Sequence, residues 1–495
     1  MKKDFFKDST IKFPAYEPWI SKDDKQIVNK TLGQSMLTLG PQLEKFETNF
    51  CKYTKSKYAV AVSNCTAALH LSLKALGIKE RDEVIIPDLT FVADASAILV
   101  CNAKPVIVDI NKNDFFKDSK IKYPAYEPWI SNDDKKILNK TLNQSMLTLG
   151  PQLEKFESDF CKYTKSKYAI AVTNCTAALH LSLKAIGIKE NDEVIIPDLT
   201  FVADANAILA CNAKPVIVDI NKNNFFLSPS EIKKNITKKT KAILPVHIYG
   251  QVCNIEEILD IAKENNLKII EDCAHAVGTF HNSKHVGTLG STGCFSFYPT
   301  KNITTAEGGM VITNSKKIAD KVRQLRSHGM TKSLKDRYSG GYPWIFDIIE
   351  PGYNYRLDEI RCALGVSQLK RITKINQLRK NAAAYYDSKL QNISGIILPD
   401  MVNDKTHSYH LYTIRITKSF KLSRDQLYNK LKDNGIRTTV YWMPIHKYTA
   451  YKKFVKSSDV KNTEKIYNEI LALPLFPGIT KKHQNAVVNV IKSIQ

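Results

Sequence analysis

Residues 4–113 of this chain recur, without a gap, as residues 114–223, and this repeat restricts the folds open to it more than any other feature. At a fixed offset of 110, 96 positions are identical and 14 differ. The differences are mild: Phe13/Tyr123, Val28/Leu138, Ser63/Thr173 and Leu76/Ile186 are typical. Self-similarity at a fixed period can mark a solenoid or a propeller. Here there are only two units, and the 272 residues that follow contain no third. Mild drift points to a duplicated gene segment under some constraint. Nor is the unit self-evidently a domain: it ends in KPVIVDINKN, a strand and the loop after it, and residue 224 onward continues as if from such an end. Removing residues 1–113 leaves 382 that read as one coherent protein. The second copy is therefore expected to build the fold and its site. The first is expected to be an appended, partly folded segment, or a strand set swapped within a dimer. Its apolar helix AALHLSLKALGI and its strand EVIIP would lack a partner sheet.

From Tyr168 the pattern alternates. A strand (YAIAV), a turn (TNCT) and a helix (AALHLSLKAIG) come first, then a strand (EVIIP), a helix (FVADANAILACNA) and a strand (PVIVDI). Further strands are expected at AILPVHIYG, LKIIED, GCFSFY and GMVIT, with helices at IEEILDIAKENN and KKIADKVRQLRSHG. Continuous β-branched runs between amphipathic helices predict an α/β fold, a mostly parallel sheet covered on both faces. A long helical stretch from about Leu357 to Gln391 leads to a smaller α+β region, with SYHLYTIRIT as strand and SRDQLYNKLKDNGI as helix. The expected division is an extra copy over 1–113, a large domain over 114–375 and a small C-terminal domain over 376–495.

Charge and cysteines exclude more than they assign. The net charge is +23, but each copy is nearly neutral and about +20 lies on residues 224–495, dispersed along predicted helices. A solvated lysine-rich surface accounts for that, and attraction of an anionic small substrate is the sharper reading. No nucleic-acid-binding motif accompanies the charge. No apolar run reaches 18 residues, and no apolar stretch follows Lys2 and Lys3, so neither a membrane span nor a secretory signal is expected. The chain reads as cytoplasmic. Six of the ten cysteines are three counted twice (Cys51, Cys65 and Cys101; Cys161, Cys175 and Cys211), with no CxxC and no zinc spacing. Reduced thiols and no metal are the expectation.

Three features fall where an open α/β sheet places ligands, at the carboxyl ends of strands. The turn Thr173-Asn174-Cys175-Thr176 opens a helix, whose free N–H groups and dipole suit a phosphate. The ordinary alternative is a cap, with Thr176 bonding its own helix. Glu271-Asp272-Cys273-Ala274-His275 follows LKII, and a carboxylate there can hold a cationic nitrogen or serve in a buried ion pair. In FSFYPTKN, Lys301 has aromatics before it and Ala306-Glu307-Gly308-Gly309 after it. A desolvated lysine of depressed pKa can form a Schiff base, whereas a surface lysine would not.

Together these features resemble the DegT/DnrJ/StrS family of pyridoxal-phosphate sugar aminotransferases. The resemblance runs from about residue 123 to the C-terminus, through TNCTAALHLSLKAIGI, DEVIIPDLTFVADANAI, PVIVDI, KAILPVHIYGQ, IIEDCAHAVG, FSFYPTKNITTAEGGM and GYNYRLDEIRCALGVSQL. It implies an aspartate-aminotransferase-like fold and a homodimer with sites at the subunit boundary. The cofactor would be pyridoxal 5'-phosphate, and the substrates a nucleotide-linked keto-sugar and an amino-acid donor. Lys301 would hold the cofactor and move protons, Asp272 would pair with its ring nitrogen, and His275, where the family often has Gln, would lie near its phenolic oxygen. Phe201 would stack on the ring. Cys175, Thr176 and Ser296 would hold the phosphate, Cys175 standing where the family often has Gly. Asn354 would reach the phosphate of the partner subunit's cofactor, and Arg356 would meet a carboxylate or pyrophosphate. A 4-keto-6-deoxyhexose and glutamate are the implied substrates, for surface polysaccharide or glycan synthesis. Two other readings stay open. One is the family's dehydratase branch, in which the lysine position is typically His. The other is an inactive binding or regulatory homologue crippled by the duplication.

Overall fold

The computed structural model describes residues 22–32, 40–78, 82, 123–144, 147–332, 344–399, 407–455 and 459–494. A seven-stranded sheet forms its centre. The strands are β1 Tyr168–Val172, β2 Glu193–Pro197, β3 Lys214–Val218, β4 Thr240–Ile243, β5 Lys268–Asp272, β8 Thr292–Ser296 and β9 Gly309–Thr313, with the two-stranded β6 Phe280–His281 and β7 Lys284–His285 set apart. Their order is β1-β9-β8-β5-β4-β2-β3. The pairs β2/β3, β2/β4, β4/β5 and β5/β8 are parallel, and β9 alone runs against its neighbours β1 and β8. This is the expected mostly parallel α/β sheet.

Alternation along the strands assigns residues to two apolar layers. Ile170, Val172, Cys294 and Val311 join the larger one, which packs the helices Cys175–Ala185, Ala203–Leu209, Ile255–Glu264 and Lys316–Arg326. Ala169, Ala171, Phe295, Met310 and Ile312 face the other, with the helices Pro151–Thr164 and Glu359–Leu369. There Phe156 and Phe160 are fully buried against Phe295 and Phe297, with ring centroids 5.1–5.7 Å apart. Burying a phenyl group so completely contributes on the order of 3 kcal/mol. The expected strand AILPVHIYG is shorter than its sequence suggests. Its regular strand ends at Ile243, a single bridge from Val246 to Asp272 continues the pairing, and it closes in a 3-10 turn with Tyr249 at φ 60°.

The long helical stretch is two helices, Glu359–Leu369 and Ile372–Leu390. The expected boundary at 375/376 falls inside the second. Its Ile372 and Ile375 pack on the sheet layer, and Ala382, Ala383, Tyr386 and Leu390 on a third cluster. That cluster covers β10 Ile396–Ile397, β11 Tyr412–Ile416 and β12 Ile470–Leu473, an antiparallel sheet backed by the helices Arg424–Asp433 and Lys481–Lys492. The small region is also tied to the large one. His446 bridges Asp198, at the end of β2, and Glu464, at 2.5 and 2.8 Å.

Of the first copy, three helices are described: Lys22–Leu32, Pro41–Thr54 and Cys65–Ala75. The expected strand EVIIP (83–87) and Phe91 lie outside the described residues. No strand forms over 58–62 among the described residues, although YAVAV there differs from β1 only at Val60/Ile170.

Candidate active site

The site is assembled at one level of the sheet. Ser296 on β8 pairs with Gly309 on β9, which pairs with Val172 on β1. The turn Thr173–Thr176 leaves β1 at that level. Asn174 caps the helix Cys175–Ala185, its side chain accepting from the Ala177 N–H at 2.8 Å. The cap is therefore Asn174, and Thr176, expected as the alternative cap, is exposed. Gly309 permits the turn to sit here. A Cβ at that position would lie 2.4 Å from the Asn174 carbonyl oxygen and 2.8 Å from the Cys175 nitrogen. Gly309 thus lets the neighbouring strand lie directly against the turn, where Cys175 stands in place of the family's frequent Gly.

Asp272 ends β5, with its Oδ1 accepting from the Ala274 N–H at 2.8 Å. Burial raises its pKa, while that bond, the Lys301 ammonium and His247 oppose the rise. Beside it lies Asp204, an acid that sequence reasoning missed. Asp204 is 1% exposed, accepts from Thr200 at 2.6 Å, and has a buried Oδ1 that no donor reaches among the described residues. Burial and the charge of Asp272 push its pKa far up, the direction that favours the neutral acid beside Asp272. The available signal was the Thr200/Asp204 spacing just beyond β2.

Lys301 sits in a loop folded back on itself, its N–H donating to the Tyr298 carbonyl at 2.9 Å and Thr305 N–H to Phe297 at 2.9 Å. Asn302 anchors the loop to Asn376 at 2.7 Å and to the Ser408 carbonyl at 2.9 Å. Desolvation lowers the lysine pKa to about 8, against the pull of Asp272 and Cys175. The loop lysine is therefore distinguished from the chain's many surface lysines by its setting. His275 is buried and its Nδ1 accepts from the Tyr249 N–H at 3.1 Å. Burial, then Lys301, keeps it neutral. Phe201 is 46% exposed, 4.7 Å from Trp442. Ser296 is buried, its Oγ accepting weakly from the Tyr298 N–H at 3.4 Å. Arg356 bridges Val172 through the backbone; burial, then Arg326, lowers its pKa to about 10. The Asn354 backbone carbonyl accepts from the Asn64 side chain of the first copy at 2.8 Å.

Glu271 is structural. It takes the N–H groups of Gly287, Leu289 and Gly290 at 2.6–2.8 Å and His247 at 3.0 Å. Its neighbours His247 and Cys273 could share a metal with it by distance alone. Those hydrogen bonds already occupy both its oxygens.

The donor set fits a phosphorylated pyridine aldehyde. It offers a helix N-terminus closely approached by glycine, a buried acid pair facing where a cationic nitrogen would lie, and a lysine of low pKa. Fold and site together define a pyridoxal-phosphate-dependent aminotransferase. The family model of the DegT/DnrJ/EryC1/StrS aminotransferases matches residues 18–122 and again 128–492, and the chain belongs to that family. It is 37% identical over 375 residues to the spore coat polysaccharide biosynthesis protein SpsC of Bacillus subtilis, covering 75% of this chain and 96% of that one. It is 35% identical over 371 residues to GDP-perosamine synthase of Vibrio cholerae, covering 75% and 98%. Among solved structures, Helicobacter pylori PseC, an aminotransferase of pseudoaminic acid biosynthesis, superposes with a TM-score of 0.70 at 30% identity, over 75% of this chain and 99% of that one.

Proposed function

We propose that this enzyme aminates a nucleotide-linked keto-sugar, a 4-keto-6-deoxyhexose, with glutamate as amino donor, in the synthesis of a surface polysaccharide or glycan. The observation that carries the reading is the partly buried Lys301, with a pKa of about 8, under the influence of Asp272 at the carboxyl edge of the sheet. The names of the Vibrio and Helicobacter relatives support the sugar. The excess of about +20 on residues 224–495 favours a pyrophosphate-bearing substrate.

Pyridoxal phosphate supplies an electron sink through its protonated ring nitrogen. Asp272 would hold that proton in place, with the protonated Asp204 behind it. Asn174 orients the helix whose first N–H groups, with Thr176 and Ser296, would bind the phosphate. Phe201, at the exposed side, would cover the ring, and neutral His275 would lie near the phenolic oxygen. The amine of Lys301, its pKa lowered to about 8 by burial, would move protons between donor and acceptor carbons. Glutamate leaves as 2-oxoglutarate before the sugar enters, and the keto oxygen departs as water. Asn354 would complete the phosphate cradle across a two-fold boundary between large domains.

Lys301 itself speaks against the dehydratase branch. The nine described cysteines are all free thiols, in keeping with a cytoplasmic enzyme. The test is incubation with a panel of nucleotide keto-sugars and glutamate, followed by product mass. An amino sugar with equimolar 2-oxoglutarate is expected. A protein that stays colourless with pyridoxal phosphate, and turns over no member of the panel, overturns the reading.

A further inference from the structure

Residues 441–451 of the small region lie along the turn that leaves β2. The Trp442 ring meets Phe201 at 4.7 Å. The Ile445 N–H donates to the Asp198 carbonyl at 3.0 Å, and the His446 N–H to Asp198 Oδ1 at 2.9 Å. Further on, the Tyr451 hydroxyl donates to Asn206 Oδ1 at 2.5 Å, on the helix that carries Asp204. The Tyr249 hydroxyl, from the 3-10 turn, donates to the Tyr441 carbonyl.

The His446 ring adds an ionic link to these bonds. Its Nδ1 lies 2.5 Å from Asp198 Oδ2 and its Nε2 2.8 Å from Glu464 Oε1. The side chains of His446, Asp198 and Glu464 are 2%, 0% and 28% exposed. A carboxylate only accepts, and neutral imidazole has a single N–H. Only the imidazolium therefore satisfies both contacts at once. Burial opposes that charge, but Asp198 and then Glu464 outweigh it and raise the His446 pKa above that of a free imidazole. Two other charges bear on the group. Lys447 shares Glu464 at 2.8 Å. Asp219, just past β3, acts on Asp198 and accepts from the Asn462 and Thr463 N–H groups at 2.9 Å, which ties the helix of Glu464 to the sheet.

Asp198 stands three residues before Phe201, and His446 four residues after Trp442. Between Asp198 and Phe201 lies Thr200, which donates to Asp204 at 2.6 Å. We propose that His446 is a positioning residue of this aminotransferase: its imidazolium, held between Asp198 and Glu464, fixes Trp442 against Phe201 and so sets the ring that covers the cofactor. The assignment rests on the reading of Phe201 given above. The backbone bonds are the same in either charge state of His446, whereas its two charge-assisted bonds are not. Loss of the proton turns a ring lone pair toward a buried carboxylate. The clamp is thus present below the His446 pKa and released as pH rises through it.

The clamp can be read without cofactor. Tryptophan emission of the cofactor-free full chain is titrated with pH, and the same titration of Trp442→Phe is subtracted. The wild type is expected to show a spectral change as the pH is raised. His446→Gln should lack it. Glu464→Gln should show it at lower pH, because one of the charges that raise the histidine is gone. With cofactor and substrates, His446→Gln is expected to lower kcat about a hundredfold, the scale of a misplacement of about 1 Å, with each KM within about threefold of wild type. Should His446→Gln fail to fold, Glu464→Gln, altered at the partly exposed side, carries the test: its kcat should fall at lower pH than the wild type's, in step with its emission. An emission titration identical in wild type and His446→Gln, an unmoved midpoint in Glu464→Gln, or wild-type kcat in His446→Gln overturns the assignment. A chain inactive toward every sugar of the panel overturns the proposed function, and the emission titration decides the clamp all the same.

Discussion

The helices Pro41–Thr54 and Pro151–Thr164 differ at two residues of fourteen, Thr48/Ser158 and Asn49/Asp159, yet they live in opposite surroundings. Each begins after an extended glycine, carries Pro in its first turn, and ends on a lysine in the left-handed region, at φ 57° and 59°. The first buries none of its side chains and exposes Phe46, Phe50 and Tyr53. The second buries Leu153, Phe156, Phe160 and Thr164. The same holds for the turns: Asn64 and Asn174 both cap their helices, but Cys65 is exposed and Cys175 buried. Caps, proline and helix length are set by neighbours in sequence. A strand needs a partner from elsewhere, and β9 can accept only one. Identical sequence thus yields identical helices and turns, while strand and core belong to the copy that is joined to residue 224.

Four experiments press on that inequality. The largest effect comes from Lys301→Ala, which removes a group neither copy supplies. Transamination is expected to fall to background with the unfolding midpoint within a few degrees of wild type. Near-normal turnover would make Lys301 an ordinary loop lysine. Next, Phe156→Ala is expected to cost about 3–5 kcal/mol of stability, and Phe46→Ala less than about 0.5 kcal/mol. Urea melts would read the pair, and equal costs would mean that the first copy also has a core. Thr176→Asp is expected to weaken pyridoxal-phosphate binding by about a hundredfold, through like charges held together, and Thr66→Asp by less than about threefold. A reversed order in the absorbance titration would place the cofactor on the first copy. The smallest effect is one of pH. The Lys301 pKa lies below that of a free lysine, so its amine is already half neutral near pH 8. The rate of cofactor capture should rise through pH 8 and level off, whereas surface lysines of either copy would continue to respond up to about pH 10.4.

Much of this was legible in the residues alone. The alternation of β-branched runs and amphipathic helices led to the mostly parallel sheet, and the aromatic and glycine setting of Lys301 marked it out among many lysines. Proximity across the chain was not legible. Nothing in the sequence tied Asp204 to Asp272, which the fold sets beside it. Gly309 came to lie against the turn Thr173–Thr176 only through its register with Val172 and Ser296. Helix Ile372–Leu390 was expected to be cut by a domain boundary, because sequence does not reveal that one helix serves two apolar layers. That the Asn354 carbonyl would bond the first copy was hidden for the same reason. Its partner Asn64 is 290 residues away.

The position of β1 at the sheet's margin has a consequence for how the chain acquires its structure. β9 is a template that YAVAV and YAIAV fit almost equally, and closing the longer loop to the first copy costs less than about 0.6 kcal/mol more. The first copy also leaves the ribosome earlier. Either segment can therefore be zipped onto β9 before the helices Pro151–Thr164 and Glu359–Leu369 close over it, and a wrongly zipped chain must unzip before it can proceed. Refolding should be biphasic, with a slow fraction that disappears when Val60 is replaced by proline, which removes a ladder donor from the competing segment.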